Sequence, residues 1–201
     1  MYKGGILLKI RIVAILAVVL ILGFKFLSPT SETPKAQAPQ SINTDKKSVS
    51  TFSVGLEKDQ QAPEFTLSTL TGESVKLSSL RGKTVILNFW TTWCPPCKSE
   101  MPDMQQFYSD YKKNNIIIIG VNLTDNESNT KQVKDFTKQY KISFPILLDT
   151  KGEIRKQYKI ITIPTTYIID SNGIIAENVI GPITYDKIKK LTLNSANIKK
   201  G

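Results

Sequence analysis

Thr84-Val85-Ile86-Leu87-Asn88-Phe89-Trp90 is a β-branched and apolar stretch that leads, after three residues, into Cys94-Pro95-Pro96-Cys97. This junction constrains the fold more than any other part of the chain. The stretch reads as a buried strand. Beyond the cysteines, Met101, Met104, Phe107, Tyr108 and Tyr111 recur at helical spacing until Asn114-Asn115. Pro95 and Pro96 suit a first helical turn, where their missing N–H groups would have had no partner. Pro102 lies inside the same helix and is expected to kink it. The chain must therefore pass from an interior strand to a helix start that carries both cysteines.

The surrounding pattern alternates strands and helices. Ala62–Leu67 reads as extended, Thr71-Gly72-Glu73 as a turn and Ser74–Leu77 as a second strand. Ile116-Ile117-Ile118-Ile119-Gly120-Val121 is continuously apolar, as expected of a strand covered on both faces. A helix is expected over Asn126–Tyr140, with Val133, Phe136 and Tyr140 on one side. Pro145–Asp149 reads as a strand and Glu153–Tyr158 as a short helix. Thr165–Asp170 and Ile174–Val179 flank a Ser171-Asn172-Gly173 turn, and Tyr185–Leu193 reads as a closing helix. The sum is a mixed α/β sheet.

The chain has no histidine and two cysteines. Ser-His and Cys-His catalysis, His-ligated zinc and His-ligated haem are thereby excluded. Any disulfide within one chain must join Cys94 to Cys97, and so small a loop adds little by constraining the unfolded state. A dithiol exchanger needs two sulfurs within bonding reach, one of them able to ionise near neutral pH. A helix start supplies both, because the first sulfur meets unpaired N–H groups and the positive end of the helix dipole. Cys94 is therefore expected to be the exposed nucleophile and Cys97 the recessed resolving thiol. Half a zinc site and an inert structural bond are the competing readings. The first lacks a second ligand pair, and the strand-then-helix context and the flanking Trp93 argue against the second.

Ile12–Phe24 is an uncharged apolar run preceded by Lys3, Lys9 and Arg11. Extended to Leu27 it gives about 16 residues, roughly 24 Å of helix against a membrane core of about 30 Å. The positive-inside rule puts the N-terminus in the cytoplasm and the rest outside. A cleaved signal peptide is the alternative, but Phe24-Lys25-Phe26-Leu27 is a poor cleavage site and Ala36-Gln37-Ala38 lies far downstream. Residues 1–27 are thus expected to be a cytoplasmic N-terminus and transmembrane signal-anchor, residues 28–54 a flexible linker and residues 55–201 the folded domain. The linker, rich in Ser, Thr, Pro, Gln and Lys, would span roughly 30 Å as a coil.

Net charge is +10, from 27 basic and 17 acidic residues. Setting aside Lys3, Lys9, Arg11 and Lys25 leaves 23 against 17, a net +6 scattered over polar stretches. That is a solvated surface, and no nucleic-acid motif accompanies it.

Ala62-Pro63-Glu64-Phe65, Leu77-Ser78-Ser79-Leu80-Arg81-Gly82-Lys83 and Asn88-Phe89-Trp90-Thr91-Thr92-Trp93-Cys94-Pro95-Pro96-Cys97-Lys98-Ser99-Glu100-Met101-Pro102 together resemble the TlpA/ResA family over about residues 56–193. The resemblance implies an α/β, thioredoxin-like fold with an added N-terminal β-hairpin and an inserted strand–helix unit around Ile116–Tyr140, here preceded by a single N-terminal transmembrane helix. It implies a cis-proline loop at Ile163-Pro164-Thr165 that faces the cysteines and, with Trp93, Pro95 and Pro96, meets the partner. It also implies an active-site role for Glu100, one helical turn after Cys97. A carboxyl there can move protons and raise the thiol pKa values when ionised. Asn88 departs from the buried aspartate of thioredoxin itself and cannot relay a proton at neutral pH.

By the same resemblance the protein reduces disulfides in extracytoplasmic partners such as apocytochrome c or spore-wall enzymes. It receives electrons from a membrane thiol carrier of CcdA type, and it works as a monomer with no cofactor beyond its own disulfide. Two other functions are weighed. A peroxiredoxin-like peroxidase needs Pro-x-x-x-Thr/Ser-x-x-Cys; Thr91 fits, but Leu87 stands where the proline belongs. A non-enzymatic tethered binding module would use the basic face.

Overall fold

The computed structural model describes residues 52–195. The expected membrane anchor and nearly all of the expected linker lie outside them. Among the described residues no helix is long and apolar enough to cross a membrane.

The buried stretch forms strand β3, Thr84–Trp90, every residue of which is buried. It follows β1 (Thr66–Thr69) and β2 (Ser74–Lys76), the expected hairpin. Helix α1 (Pro95–Tyr111) leads to β4 (Ile116–Asn122), α2 (Thr130–Gln139), β5 (Ile146–Leu148) and α3 (Glu153–Gln157). Strands β6 (Thr165–Ile169) and β7 (Ile175–Ile180) and helix α4 (Tyr185–Ser195) complete the order. The sheet runs β2-β1-β5-β4-β3-β6-β7. β3 pairs parallel with β4 along its whole length and antiparallel with β6, so it lies inside the sheet, as its apolar character requires.

Each face of the sheet carries a core. Ile86, Trp90 and Ile118 pack with Met101, Met104 and Phe107 of α1, Val133 and Phe136 of α2 and Ile188 of α4. Val85, Leu87, Phe89 and Ile119 pack on the other face with Phe65, Leu77, Ile154 and Tyr158. Alternation along β3 therefore sends Ile86, Asn88 and Trp90 toward α1. Gly120 interrupts an otherwise apolar strand because a Cβ there would come within 2.7 Å of Ile146 and 3.0 Å of the Trp90 indole nitrogen.

The N-terminal motif serves packing. The Pro63 carbonyl accepts from Tyr158 Oη at 2.6 Å, and the Glu64 carboxylate accepts from the Ser78 N–H at 3.1 Å, at the head of a 3₁₀ turn over Leu77–Leu80. That turn begins where a strand residue was expected at Leu77.

Two further boundaries differ from expectation. Ser53 and Val54 were assigned to the linker, yet the Ser53 carbonyl accepts from the Gln61 N–H and Val54 forms an isolated bridge with Gln61. Helix α2 begins at Thr130 and not Asn126, because Thr124–Asn126 form a 3₁₀ turn and the Asn129 side chain accepts the Gln132 N–H as an N-cap. Pro102 lies inside helix α1, as expected. The strand–helix unit expected at Ile116–Tyr140 is present as β4 and α2, with β4 in the sheet interior.

Candidate active site

β3 ends at Trp90, and Cys94 is the N-cap of α1. Pro95 and Pro96 occupy the first helical positions and offer no N–H. The first free N–H of the helix, that of Cys97, points at Cys94 Sγ, 3.2 Å away. The two prolines thus leave the sulfur as the acceptor for the donor that opens the helix. Cys94 and Cys97 are joined as a disulfide with their Cα atoms 5.3 Å apart.

Facing them is the loop before β6. The Ile163–Pro164 peptide is cis, as expected. The Ile163 carbonyl oxygen lies 3.9 Å from Cys94 Sγ. The Pro164 carbonyl accepts from the Gly181 N–H, and the Thr165 hydroxyl donates to the Thr162 carbonyl, so the side chain of Thr165 is committed to holding the loop. Pro95, Pro96 and Trp93 are on the surface, and Trp93 is 56% exposed.

One expectation is corrected here. Cys94 was expected to be exposed, but it is 3% exposed and Cys97 is 0%. The order of access holds, yet in the disulfide form the cis-proline loop and the helix tip cover most of both sulfurs.

Glu100 is buried on α1, i+3 from Cys97 and so on the same helix face. Its Oε1 accepts from Asn88 Nδ2 at 2.8 Å and its Oε2 from the Ile183 N–H at 2.9 Å. Burial pushes the Glu100 carboxyl up to about 7; the bonds from Ile183 and Asn88 pull the other way and are outweighed. A carboxyl that exchanges its proton near neutrality is suited to acid–base work beside thiols.

Sequence reasoning did not find a second carboxylate at this site. Glu127 accepts from the Thr92 N–H and Asn122 Nδ2 through Oε1 (2.6 and 2.8 Å) and from Thr92 Oγ1 through Oε2 (2.6 Å). Trp93 Nε1 donates to the Asn126 carbonyl at 2.9 Å. The segment between β4 and α2 thereby ties down the two residues before Cys94. Nothing in the spacing of Glu127 signals this. Thr91, the position that fits the peroxidase pattern, has its hydroxyl buried without a hydrogen-bond partner. Among the described residues no group of three or more Cys, Asp or Glu could hold a metal ion.

A cysteine pair at a helix start, faced by a cis-proline loop on a sheet of this order, defines a thioredoxin-fold thiol–disulfide oxidoreductase. Comparison with known proteins agrees. The AhpC/TSA family model matches residues 59–178, and the chain belongs to that family. It is similar to the sporulation thiol-disulfide oxidoreductase A of Bacillus subtilis, with 42% identity over 137 residues, 68% of this chain and 82% of that protein. It is also similar to the thiol-disulfide oxidoreductase ResA of Bacillus thuringiensis, at 38% over 135 residues, 67% and 76% of the two chains. The crystal structure of StoA from Bacillus subtilis matches with a TM-score of 0.59 and 42% identity, covering 65% of this chain and 96% of that one.

Proposed function

We propose that the protein is a membrane-tethered reductant of protein disulfides on the outer side of the cytoplasmic membrane, with residues 1–27 as anchor, residues 28–54 as linker and a monomeric redox domain. The observation that carries the chemistry is the placement of Cys94 Sγ between the Cys97 N–H and the Ile163 carbonyl. In the reduced protein the same N–H and the helix dipole favour the Cys94 thiolate. The thiolate attacks one sulfur of a partner disulfide and expels the other as a thiolate, leaving a mixed disulfide. Cys97 then attacks Cys94 Sγ. The partner leaves with both sulfurs reduced, and two electrons have passed from the dithiol. Glu100 takes up and returns the proton of the attacking thiol.

Trp93, Pro95, Pro96 and the backbone of Ile163-Pro164-Thr165 form the face on which an extended partner segment lies. The extracytoplasmic space is oxidising, so the spent disulfide needs a thiol donor from the membrane, a carrier of CcdA type. Apocytochrome c or a spore-wall enzyme is the kind of partner this chemistry suits, and one relative is named a sporulation oxidoreductase. Cys97→Ala in the full chain should accumulate a covalent complex with the partner, released by added thiol and absent from Cys94→Ala. A Cys97→Ala chain that traps nothing from a membrane-plus-exterior fraction would refute the reading.

A further inference from the structure

Asn88 is fully buried in β3, opposite Thr166 in the β3–β6 register. Its Nδ2 donates to Glu100 Oε1 at 2.8 Å and to Thr166 Oγ1 at 3.0 Å, while its Oδ1, also buried, meets no protein donor. A buried amide oxygen left in that way is destabilising. Both groups that Asn88 touches can reverse. A carboxylate accepts when ionised and donates when protonated, and a threonine hydroxyl does either. Half a turn about the Cβ–Cγ bond exchanges Oδ1 with Nδ2. Oδ1 then accepts from protonated Glu100 and from the Thr166 hydroxyl, and Nδ2 becomes the atom left over. Each arrangement makes two hydrogen bonds and orphans one atom, so the charge on Glu100 decides between them.

We propose that Asn88 is the positioning residue for Glu100, its amide presenting Nδ2 to the ionised carboxylate and turning to present Oδ1 to the protonated acid, with Thr166 reversing in step. The proposal rests on the reading of Glu100 as the proton-handling group of the dithiol. Thr166 stands two residues after Pro164, so the reversal connects the carboxyl to the strand that carries the cis-proline loop. The groups around Glu100 leave the decision to its own proton. Helix α1 brings Cys97 one turn before it and the half-buried Asp103 one turn after, the latter accepting from the Tyr185 N–H at 3.2 Å. β3 brings Asn88, β6 brings Thr166 through it, and the segment before α4 brings the Ile183 N–H. Both groups bonded to the carboxyl are neutral.

The test is NMR of the isotope-labelled full chain in detergent micelles, disulfide intact, over roughly two pH units either side of the Glu100 midpoint. Both Asn88 amide-proton resonances should move with one inflection at that midpoint, and their through-space contact with the Thr166 methyl should be lost on the acid side. Amide resonances that stay still while Glu100 titrates overturn the proposal. Asn88→Leu takes a bond from both states of the carboxyl, the stronger, charge-assisted one from the ionised state, so the Glu100 midpoint should rise by about one pH unit or less; a folded variant whose midpoint rises by about two units or more, as for a donor that serves the ionised carboxylate alone, also overturns it. If Asn88→Leu does not fold, the resonances of the unaltered chain still decide. Glu100→Gln separates the two claims. An unaltered pH profile of disulfide exchange removes the role of Glu100, whereas still amide resonances remove only that of Asn88.

Discussion

Glu100 and Glu127 are both glutamates at the active site, and each is bonded by an asparagine side chain and a backbone N–H. Asn88 and Ile183 hold Glu100; Asn122 and Thr92 hold Glu127, with the Thr92 hydroxyl as an additional donor. Their surroundings differ. Glu100 lies under the disulfide in the core between α1 and the sheet, whereas Glu127 is half-buried in a loop. The donors around a carboxylate say how it is oriented, and its burial says whether its proton is part of the chemistry. Burial brings the titration of Glu100 up toward neutral pH, while Glu127 braces the residues before Cys94.

The sharpest way to break this comparison is Glu100→Gln. With its pKa raised from 4.5 to about 7, Glu100 keeps a proton in the folded chain that the unfolded chain has lost. Its contribution to stability is fully present below about pH 4.5 and falls away as pH rises through about 7, a change of about 3 kcal/mol in all. Denaturant unfolding of Glu100→Gln should lack that decline, and its exchange rate should lose the inflection near neutral pH. A variant with the same stability slope as the parent would refute the assignment.

Glu127→Ala should act through structure. It leaves the Thr92 N–H, the Thr92 hydroxyl and Asn122 without their acceptor, a loss of about 1–3 kcal/mol partly made good by water. The midpoint of the pH profile should stay with Glu100; if it moves, the brace is also part of the proton chemistry. The smallest effect is expected of Trp93→Phe, which removes only the exposed bond to Asn126. Stability should change by no more than about 0.5 kcal/mol. Exchange with a protein partner should show a raised KM with kcat nearly unchanged, because the ring then lies loose on the face that meets the partner. Equal KM values would take Trp93 out of recognition.

Much of this protein is legible in its residues. β3 is visible from end to end because all seven residues are buried and none is polar except Thr84 and Asn88. The short strands β1, β2 and β5 were placed only approximately, since three or four residues carry little periodicity. The expected start of α2 lies four residues early because Thr124–Asn126 close a 3₁₀ turn, Glu127 is turned toward Thr92 and Asn129 caps a helix that opens at Thr130. Cys94, Cys97 and Glu100 were found from spacing and resemblance. Glu127, Ile183 and Thr166 were not, because each acts on a residue between 35 and 83 positions away.

The residues alone determined that any internal disulfide joins Cys94 to Cys97, that histidine chemistry is absent and that a buried strand delivers the pair to a helix start. These follow from counts and local periodicity, which need no knowledge of distant contacts. Only the tertiary structure decided how covered the sulfurs are, which carboxyl is buried and which braces a loop, and that Asn88 stands between Glu100 and Thr166. Burial and hydrogen-bond partnership belong to pairs of segments brought together by the sheet, and no single segment encodes them.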